Sequence, residues 1–401
     1  MNKNKALSLN SLIIVFCIVL LTIISGLAIY QADSTLGNEM IRSIIRAISY
    51  ILTILSSFLL ITTKGRKVTI FCFIPIGYWL YTTVNKYDGI QGSLNVLVIM
   101  ILCLIFLLNS EEKYHVISYY RKYIILMSFL GIIAYTLFVS DVGLIYRIRP
   151  YYSSRFNAYY IDYYVSYIFQ SGFQLRLCGL FNEPGYFGTI LALLICVDKC
   201  DLRHTGNWIM FIAGILTFSV AFVIIILTYL VLTSIKQKKT KFAIIVLMIL
   251  YFIALPNIKF SNPNVQMLME RIILTDNQLA GDNRSNIVIN NIVSDLWSSP
   301  RMFFGYGGGY SSSVTDGVLS YKTYLIDYGI IGMAIIYGLP LIFSLKTSKN
   351  LLSLSFTIVF FASVYQRPHI YTAVYFVILI CGIEMLNSGV GKNRVKSLEY
   401  K

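Results

Sequence analysis

Residues 207–235 read NWIMFIAGILTFSVAFVIIILTYLVLTSI, and the next six, 236–241, read KQKKTK. How often this 29-residue apolar run crosses a bilayer decides the fold. A crossing helix needs about 20 mainly apolar residues, with roughly 17–25 as the usual range. One crossing leaves the run too long; two leave about 14 residues each, short unless the helices tilt or partly re-enter. Charge breaks the tie. Outside this run, apolar segments long enough to consider are 12–30, 43–62, 68–84, 94–109, 123–140, 185–198, 242–257, 324–345, 351–366 and 370–387. With Lys3 and Lys5 holding the N-terminus in the cytoplasm, alternation keeps Lys64, Arg66, Lys67, Lys113, Arg121, Lys122, Lys199 and Arg203 inside. Two crossings, broken near Thr217–Ser219, return 236–241 to the same side as Lys346, Lys349 and the basic tail. A single crossing would put the most basic short loop outside, against the positive-inside rule. The expectation is an all-α polytopic membrane protein with about twelve transmembrane helices. It forms one integral membrane domain over 1–401, with both termini cytoplasmic.

Composition agrees with that class. Of 401 residues, 57% are hydrophobic and 13% charged, against about 25% charged in soluble domains. Tyr (31) outnumbers every charged type, which suits rings that sit at a membrane–water interface. The net charge of +15 comes without a long basic run, so it reads as loop orientation and not as a nucleic-acid surface. Lys3 and Lys5 precede an apolar run with no A-x-A cleavage pattern, which reads as a retained first span. The seven cysteines are scattered through apolar segments, and Cys196 and Cys200 lack the companions of a zinc site.

The twelve-span assignment separates the two basic residue types. Sixteen of 19 Lys face the cytoplasm, whereas ten of 14 Arg face the other side: Arg42, Arg46, Arg147, Arg149, Arg155, Arg176, Arg271, Arg284, Arg301 and Arg367. Orientation explains the lysines. The arginines ask for another reason, and a planar guanidinium fork that binds phosphate bidentately supplies one. For any single Arg the alternative is an ion pair with Asp162, Glu270 or Asp295. Two outward loops are long. The first, 141–184, is dense in Tyr; the second, 258–323, carries Val288, Ile289, Ile292, Val293, Leu296 and Trp297 at helical spacing, ended by Pro300.

Within these loops the chemistry-bearing segment is Arg176-Leu177-Cys178-Gly179-Leu180-Phe181-Asn182-Glu183-Pro184-Gly185-Tyr186-Phe187-Gly188. Pro184 suits the first turn of a helix and Glu183 the acid-favouring end of its dipole, so a capped helix beside a loop Arg is one reading. Glycines at 179, 185 and 188 also allow a ligand close to the backbone. Gly305-Tyr306-Gly307-Gly308-Gly309 reads either as a flexible turn or as such an approach. No P-loop and no outward D-x-D metal pair is present, and His369 is the only outward His, so nucleotide, metal-dependent transferase and triad-hydrolase readings gain nothing.

The 176–188 segment resembles the R-x-x-G-x-F-x-[EN]-P-x-x-x-[GA] pattern of the O-antigen polymerase and O-antigen ligase superfamily. The resemblance extends over roughly 170–385. It takes in the paired-helix region ending in a basic loop (207–241), Arg284 in a large loop, the Gly305–Gly309 element before Tyr324-Leu325-Ile326-Asp327-Tyr328-Gly329, and Arg367-Pro368-His369. Ligases of the family carry a His near the start of the helix after the glycine-rich element. Here 319–324 reads LSYKTY, which suits a Wzy-type polymerase better.

The resemblance implies a GT-C-like membrane glycosyltransferase working without a metal or other cofactor at the periplasmic face of a bacterial inner membrane. Its donor would be a glycan on undecaprenyl pyrophosphate and its acceptor a second lipid-linked repeat unit, with a chain-length regulator protein as partner and no nucleic acid. It assigns Arg176, Glu183 and Arg284 to catalysis: the arginines to the leaving pyrophosphate, and Glu183 either to the acceptor proton or only to a helix cap. Arg271, Arg367, His369, Tyr324 and Gly307 fall to substrate binding, and the tyrosines of the first loop to sugar stacking. O-antigen ligase is the alternative within the superfamily. A flippase for the same lipid-linked sugar is the alternative outside it, disfavoured by long outward loops and nearly charge-free spans.

Overall fold

The computed structural model describes residues 7–27, 39–63, 66, 68–86, 96–142, 146–153, 156–172, 174–234, 266, 274–275, 278–279, 287–314, 320–365 and 367–388. The chain opens with α1 (Leu9–Gly26) and α2 (Glu39–Thr62). A 3-10 turn, Ile70–Cys72, enters α3 (Phe73–Val84), followed by α4 (Val96–Leu107) and α5 (Ser110–Val139). Four strands come next: β1 (Arg147–Ser153), β2 (Phe156–Asp162), β3 (Tyr167–Ser171) and β4 (Gln174–Gly179). Then follow α6 (Pro184–Val197), α7 (Thr205–Leu216) and α8 (Val220–Thr233), a small hairpin of β5 (Leu274–Thr275) and β6 (Gln278–Leu279), and α9 (Ile287–Trp297), α10 (Arg301–Phe304) and α11 (Tyr310–Val314). α12 (Tyr321–Met333) runs through a π turn, Ala334–Gly338, into α13 (Leu339–Thr347). α14 (Leu351–Ser363) precedes α15 (Ala373–Phe376), which a second π turn, Val377–Cys381, joins to α16 (Gly382–Asn387).

Among the described residues, four stretches are long and apolar enough to cross a membrane: Leu9–Gly26, Ser43–Thr62, Ser110–Val139 and Tyr321–Thr347. Seven shorter apolar helices accompany them. α2 shows the solvent they are built for. It exposes Ile44, Ile48, Ile51, Ile54, Phe58 and Ile61 and buries Ser49, Thr53 and Ser56, the reverse of a helix facing water. Each buried hydroxyl donates to the carbonyl four residues back, at 2.8–2.9 Å, and so needs no partner from elsewhere. Small residues at the helix contact and branched apolar residues outward are what a bilayer favours.

The expected segments map onto helices where they are described; 242–257 lies outside the described residues. α5 begins well before the expected 123. Asn109 and Glu112 form a capping box, and Glu112 is held bidentately by Arg66 at 2.7 Å, so the polar stretch before Tyr123 is helical as well. A hydropathy reading passes over that stretch because of its charges, of which Glu112 pairs with Arg66 and Arg121 with Asp198. The first long loop is also not all-α. It folds as a four-stranded antiparallel sheet in the order β1-β2-β3-β4. It shows no alternation because both faces carry large apolar side chains: Tyr160 and Tyr167 pack around Cys178 on one face, while Ile161 and Ile168 pack against the end of α5 on the other.

α6 lies at the centre. It is apolar all round, and every residue from Tyr186 to Val197 is buried, as expected of a core helix. As far as it is described, to residue 234, the run beginning at Asn207 wraps it as two helices, parted where the sequence places the break. Asn207, at the start of α7, bonds Asp198 just beyond the end of α6. The break at Thr217–Ser219 packs on Gly188 in the first turn of α6. Tyr229, near the end of α8, is back beside Cys196 and Asp198. The chain therefore runs along α6 and returns, so Thr233 ends on the same side as Asp198.

Candidate functional site

The candidate site forms at the Glu183 end of α6. β4 reaches it with Arg176 in register with Phe169, Tyr160 and Arg149 across the sheet. Gly179, at φ 60°, turns the chain, and a Cβ there would sit 3.1 Å from the Phe187 ring. Left-handed backbone beside a packed ring is a position for glycine. Tyr160 then donates its hydroxyl to the carbonyl of Asn182. The sheet is thereby tied to the residue before Glu183.

Arg176 is 8% exposed and works inward. Its Nε donates to the carbonyl of Thr217 at 2.9 Å and Nη2 to that of Phe218 at 3.2 Å. These are carbonyls at the break between α7 and α8, where Phe218 takes φ 46°. A guanidinium presents several donors in a fixed fork, so one side chain can hold two adjacent carbonyls that helix geometry leaves unserved. Arg176 clamps the tip of the α7–α8 hairpin onto the sheet. The tip in turn needs Gly188, whose Cβ would lie 2.7 Å from Thr217 Oγ1 and 2.8 Å from Ser219 Cβ.

Glu183 occupies the N-cap position of α6 in extended conformation, but its side chain does not cap the helix. The carboxylate instead pairs with Arg367, Oε2 to Nη1 at 2.5 Å. Arg367 lies over Tyr186, 5.9 Å from the ring centroid, and against Gly185, where a Cβ would meet Nη2 at 2.7 Å. Burial alone would lower the pKa of Arg367; Glu183, then the neighbouring Tyr375 and Tyr186, outweigh it and raise the value. The ion pair is open on one side, since the Glu183 side chain keeps 38% of its surface and that of Arg367 15%.

The loop that carries Arg367 is fixed on its far side. Tyr337 donates to the Pro368 carbonyl at 2.9 Å, and the Tyr324 hydroxyl meets His369 Nδ1 at 2.5 Å. His369 is exposed to solvent yet surrounded by protein, and burial lowers its pKa from the ordinary value. It is a neutral imidazole at neutral pH, held through one nitrogen.

Of the eight residues singled out by sequence, Arg176, Glu183, Arg367, His369 and Tyr324 belong to linked contacts at this end of the molecule. Arg271 and Arg284 lie outside the described residues. Gly307 is buried and turned toward its own chain: its N–H donates to the Asp327 carbonyl at 2.9 Å. Around it the N–H groups of Gly309 and Ser311 hold the Asp327 carboxylate at 3.1 and 2.7 Å. Gly305 and Gly329, both left-handed, let the two backbones touch. The glycine-rich element is a close backbone approach, as one of its two readings had it, but to α12. Among the other outward arginines, Arg149 pairs with Asp162 at 2.8 Å, and Arg147 and Arg301 lie over Tyr164 and Tyr306.

Sequence reasoning missed Ser219 and Asp327. Asp327 carried a signal, an acid within an apolar span. Ser219 carried none beyond its place in the break. Compared with known proteins, the chain matches no protein-family model, no curated protein and no solved structure.

Proposed function

We propose that this chain is a membrane glycosyltransferase that polymerises lipid-linked oligosaccharide repeat units, with lipid pyrophosphate as leaving group. What supports the reading is the joining of Arg176, Glu183 and Arg367 around the first turn of one buried helix, the segment that carries the family-like pattern. In this reading a hydroxyl of the acceptor unit attacks the anomeric carbon of the donor. The bond from that carbon to the pyrophosphate oxygen breaks, and negative charge builds on the departing group. Fixed cations in a low-dielectric site stabilise such charge. In this reading Arg367 supplies one such cation, Arg176 holds the hairpin beside it, and Arg271 and Arg284 are further candidates from the second loop.

The acceptor proton needs a base. Glu183 is already engaged by Arg367, whereas His369 is neutral and accessible, and is the better acceptor. A chain-length regulator protein, an inner-membrane location with cytoplasmic termini and a periplasmic site complete the proposal. Deletion of the gene, followed by gel analysis of the surface polysaccharide, tests it. A ladder that collapses to a single repeat unit supports a polymerase. Loss of all polymer-bearing lipid points to a ligase or a flippase, and an unchanged ladder removes the proposal.

A further inference from the structure

The N-terminus of α8 is a buried helix end whose donors are unserved. Ser219 stands at its N-cap position but makes no capping bond, and its side chain has no hydrogen-bond partner among the described residues, although Ser219 is only 6% exposed. Val220 and Ala221 follow, and their N–H groups find no acceptor among the described residues either. Leading N–H groups of a helix always lack intrahelical partners, and burying them without others is costly. Something with acceptor oxygens belongs there.

The surroundings specify its charge. Arg176 consumes the two carbonyls at the tip, Thr217 and Phe218, so the backbone oxygens there are already occupied and the N–H groups are what remains. A Cβ on Gly185 would lie 2.7 Å from Arg367 Nη2 and 4.0 Å from Ser219 Oγ, so the guanidinium and the hydroxyl flank the same small space. Gly188 lies 3.2 Å, by the same construction, from Ser219 Oγ. Both glycines let the α6 backbone approach these groups where any other residue would collide with them. The N-terminus of α6 opens onto the same place, adding a second helix dipole of the same sign. Glu183 answers Arg367, and no described residue answers the leading donors of α8.

We infer that the hairpin tip is an oxyanion site for a phosphate-class group, bound by the Ser219 hydroxyl, the leading N–H groups of α8 and Arg367. Its chemistry is that of a helix N-terminus with an added serine donor and a guanidinium, which together suit a tetrahedral dianion. The site deepens the reading above, which would place the leaving pyrophosphate there, but its existence is measured by binding and not by turnover.

The test uses the full-length protein purified in detergent, titrated by calorimetry with inorganic pyrophosphate and, separately, with farnesyl pyrophosphate, at constant ionic strength. Ser219→Ala removes the donor without adding bulk, and affinity for both probes is expected to fall about 10- to 100-fold, the scale of one hydrogen bond to a charged group. Ser219→Asp places a carboxylate on the same N–H groups. It is expected to abolish binding while preserving or raising the melting temperature, because the built-in anion caps α8. Arg203→Gln, at the other end of α6 and largely exposed, leaves binding unchanged. Tighter binding of the farnesyl compound identifies a lipid headgroup; equal binding identifies the phosphate alone. Wild-type affinity in both Ser219 variants, or no binding of either probe by the wild-type protein, overturns the site. Intact binding by a protein that never polymerises overturns the polymerase and leaves the site standing.

Discussion

The two ends of α6 are built from the same residue types and reach opposite states. At the Asp198 end, one carboxylate collects Arg121 at 2.6 Å, His204 at 2.7 Å and Asn207 at 2.9 Å, and Arg121 also reaches Asn207 at 2.7 Å. Donors and acceptors there largely close on one another; among the described residues Arg121 Nε and the Tyr229 hydroxyl are the buried loose ends. At the Glu183 end, two guanidinium groups stand near one carboxylate, and only that of Arg367 pairs with it. One of them is spent on backbone carbonyls, the carboxylate is more than a third exposed, and a helix start is left uncapped. The difference teaches what distinguishes a brace from a site. A brace neutralises itself, whereas a site keeps unspent donors in a place where burial makes them expensive.

The comparison breaks or holds most sharply in paired substitutions. Arg176→Ala leaves two carbonyls without donors, at about 1–3 kcal/mol each. Asp198→Ala strands a nearly buried arginine, at about 3–5 kcal/mol. Both proteins are therefore expected to melt earlier than wild type. Only Arg176→Ala should also lose polymer formation per folded molecule, by roughly 10²–10³, because the hairpin tip that carries the donors is released. Equal activity losses at matched protein levels would make the two ends equivalent and end the distinction. Arg176→Lys keeps the charge but not the fork, and is expected to resemble Arg176→Ala.

A smaller effect is expected at Glu183. Since its carboxylate anchors Arg367 and does not cap α6, Glu183→Gln retains a hydrogen-bond acceptor for the guanidinium and should keep about a tenth or more of the activity. Glu183→Ala frees Arg367 and should cost more. Quantified ladders from strains with matched expression check this. If Gln proves as damaging as Ala, the carboxylate itself is the proton acceptor, and His369 is relieved of that role.

How much of this was legible in the sequence follows the same division. The break at Thr217–Ser219 was readable because hydropathy length and the basic 236–241 segment both bear on it, and α9 was readable because Ile289, Ile292, Val293 and Leu296 keep helical period. The sheet was not, since strands such as Tyr159-Tyr160-Ile161 carry large apolar side chains on both faces and show no alternation. Arg176 and Glu183 were identified as a pair worth testing, but their partners were not. Arg176 reaches 41 residues along the chain to Thr217, and Glu183 pairs with Arg367, near the end of the described chain. Long-range contacts between polar groups leave no local pattern. The return of the hairpin can be checked directly: reporter fusions at Arg203 and at Lys238 are expected to report the same side of the membrane, and opposite signals would mean that 207–235 crosses once.

The smallest effect should come from the contact between Tyr324 and His369, and the sign of the histidine's own pH response is fixed by burial. Its pKa is lowered from an ordinary value of about 6.5. The folded protein thus binds fewer protons than the unfolded chain near pH 6.5, and this histidine's contribution to stability is complete above that pH. The contribution is lost as pH falls through 6.5 toward the folded value. As proton acceptor, His369 works in its neutral form, so activity should hold at its plateau below pH 6.5 and fall only beyond the lowered pKa. The contact with Tyr324 sets which nitrogen is available. If Nδ1–H donates to the Tyr324 oxygen, Nε2 is the acceptor that faces substrate; if the hydroxyl donates, Nε2 carries the hydrogen and acts as a donor. Tyr324→Phe removes the partner and keeps the ring. Under the acceptor assignment it should lower the rate several-fold and displace the acid limb, whereas His369→Gln should remove that limb altogether. A wild-type acid limb in His369→Gln would take the histidine out of the reaction, and the Glu183 end would then have to work with its carboxylate and guanidinium groups alone.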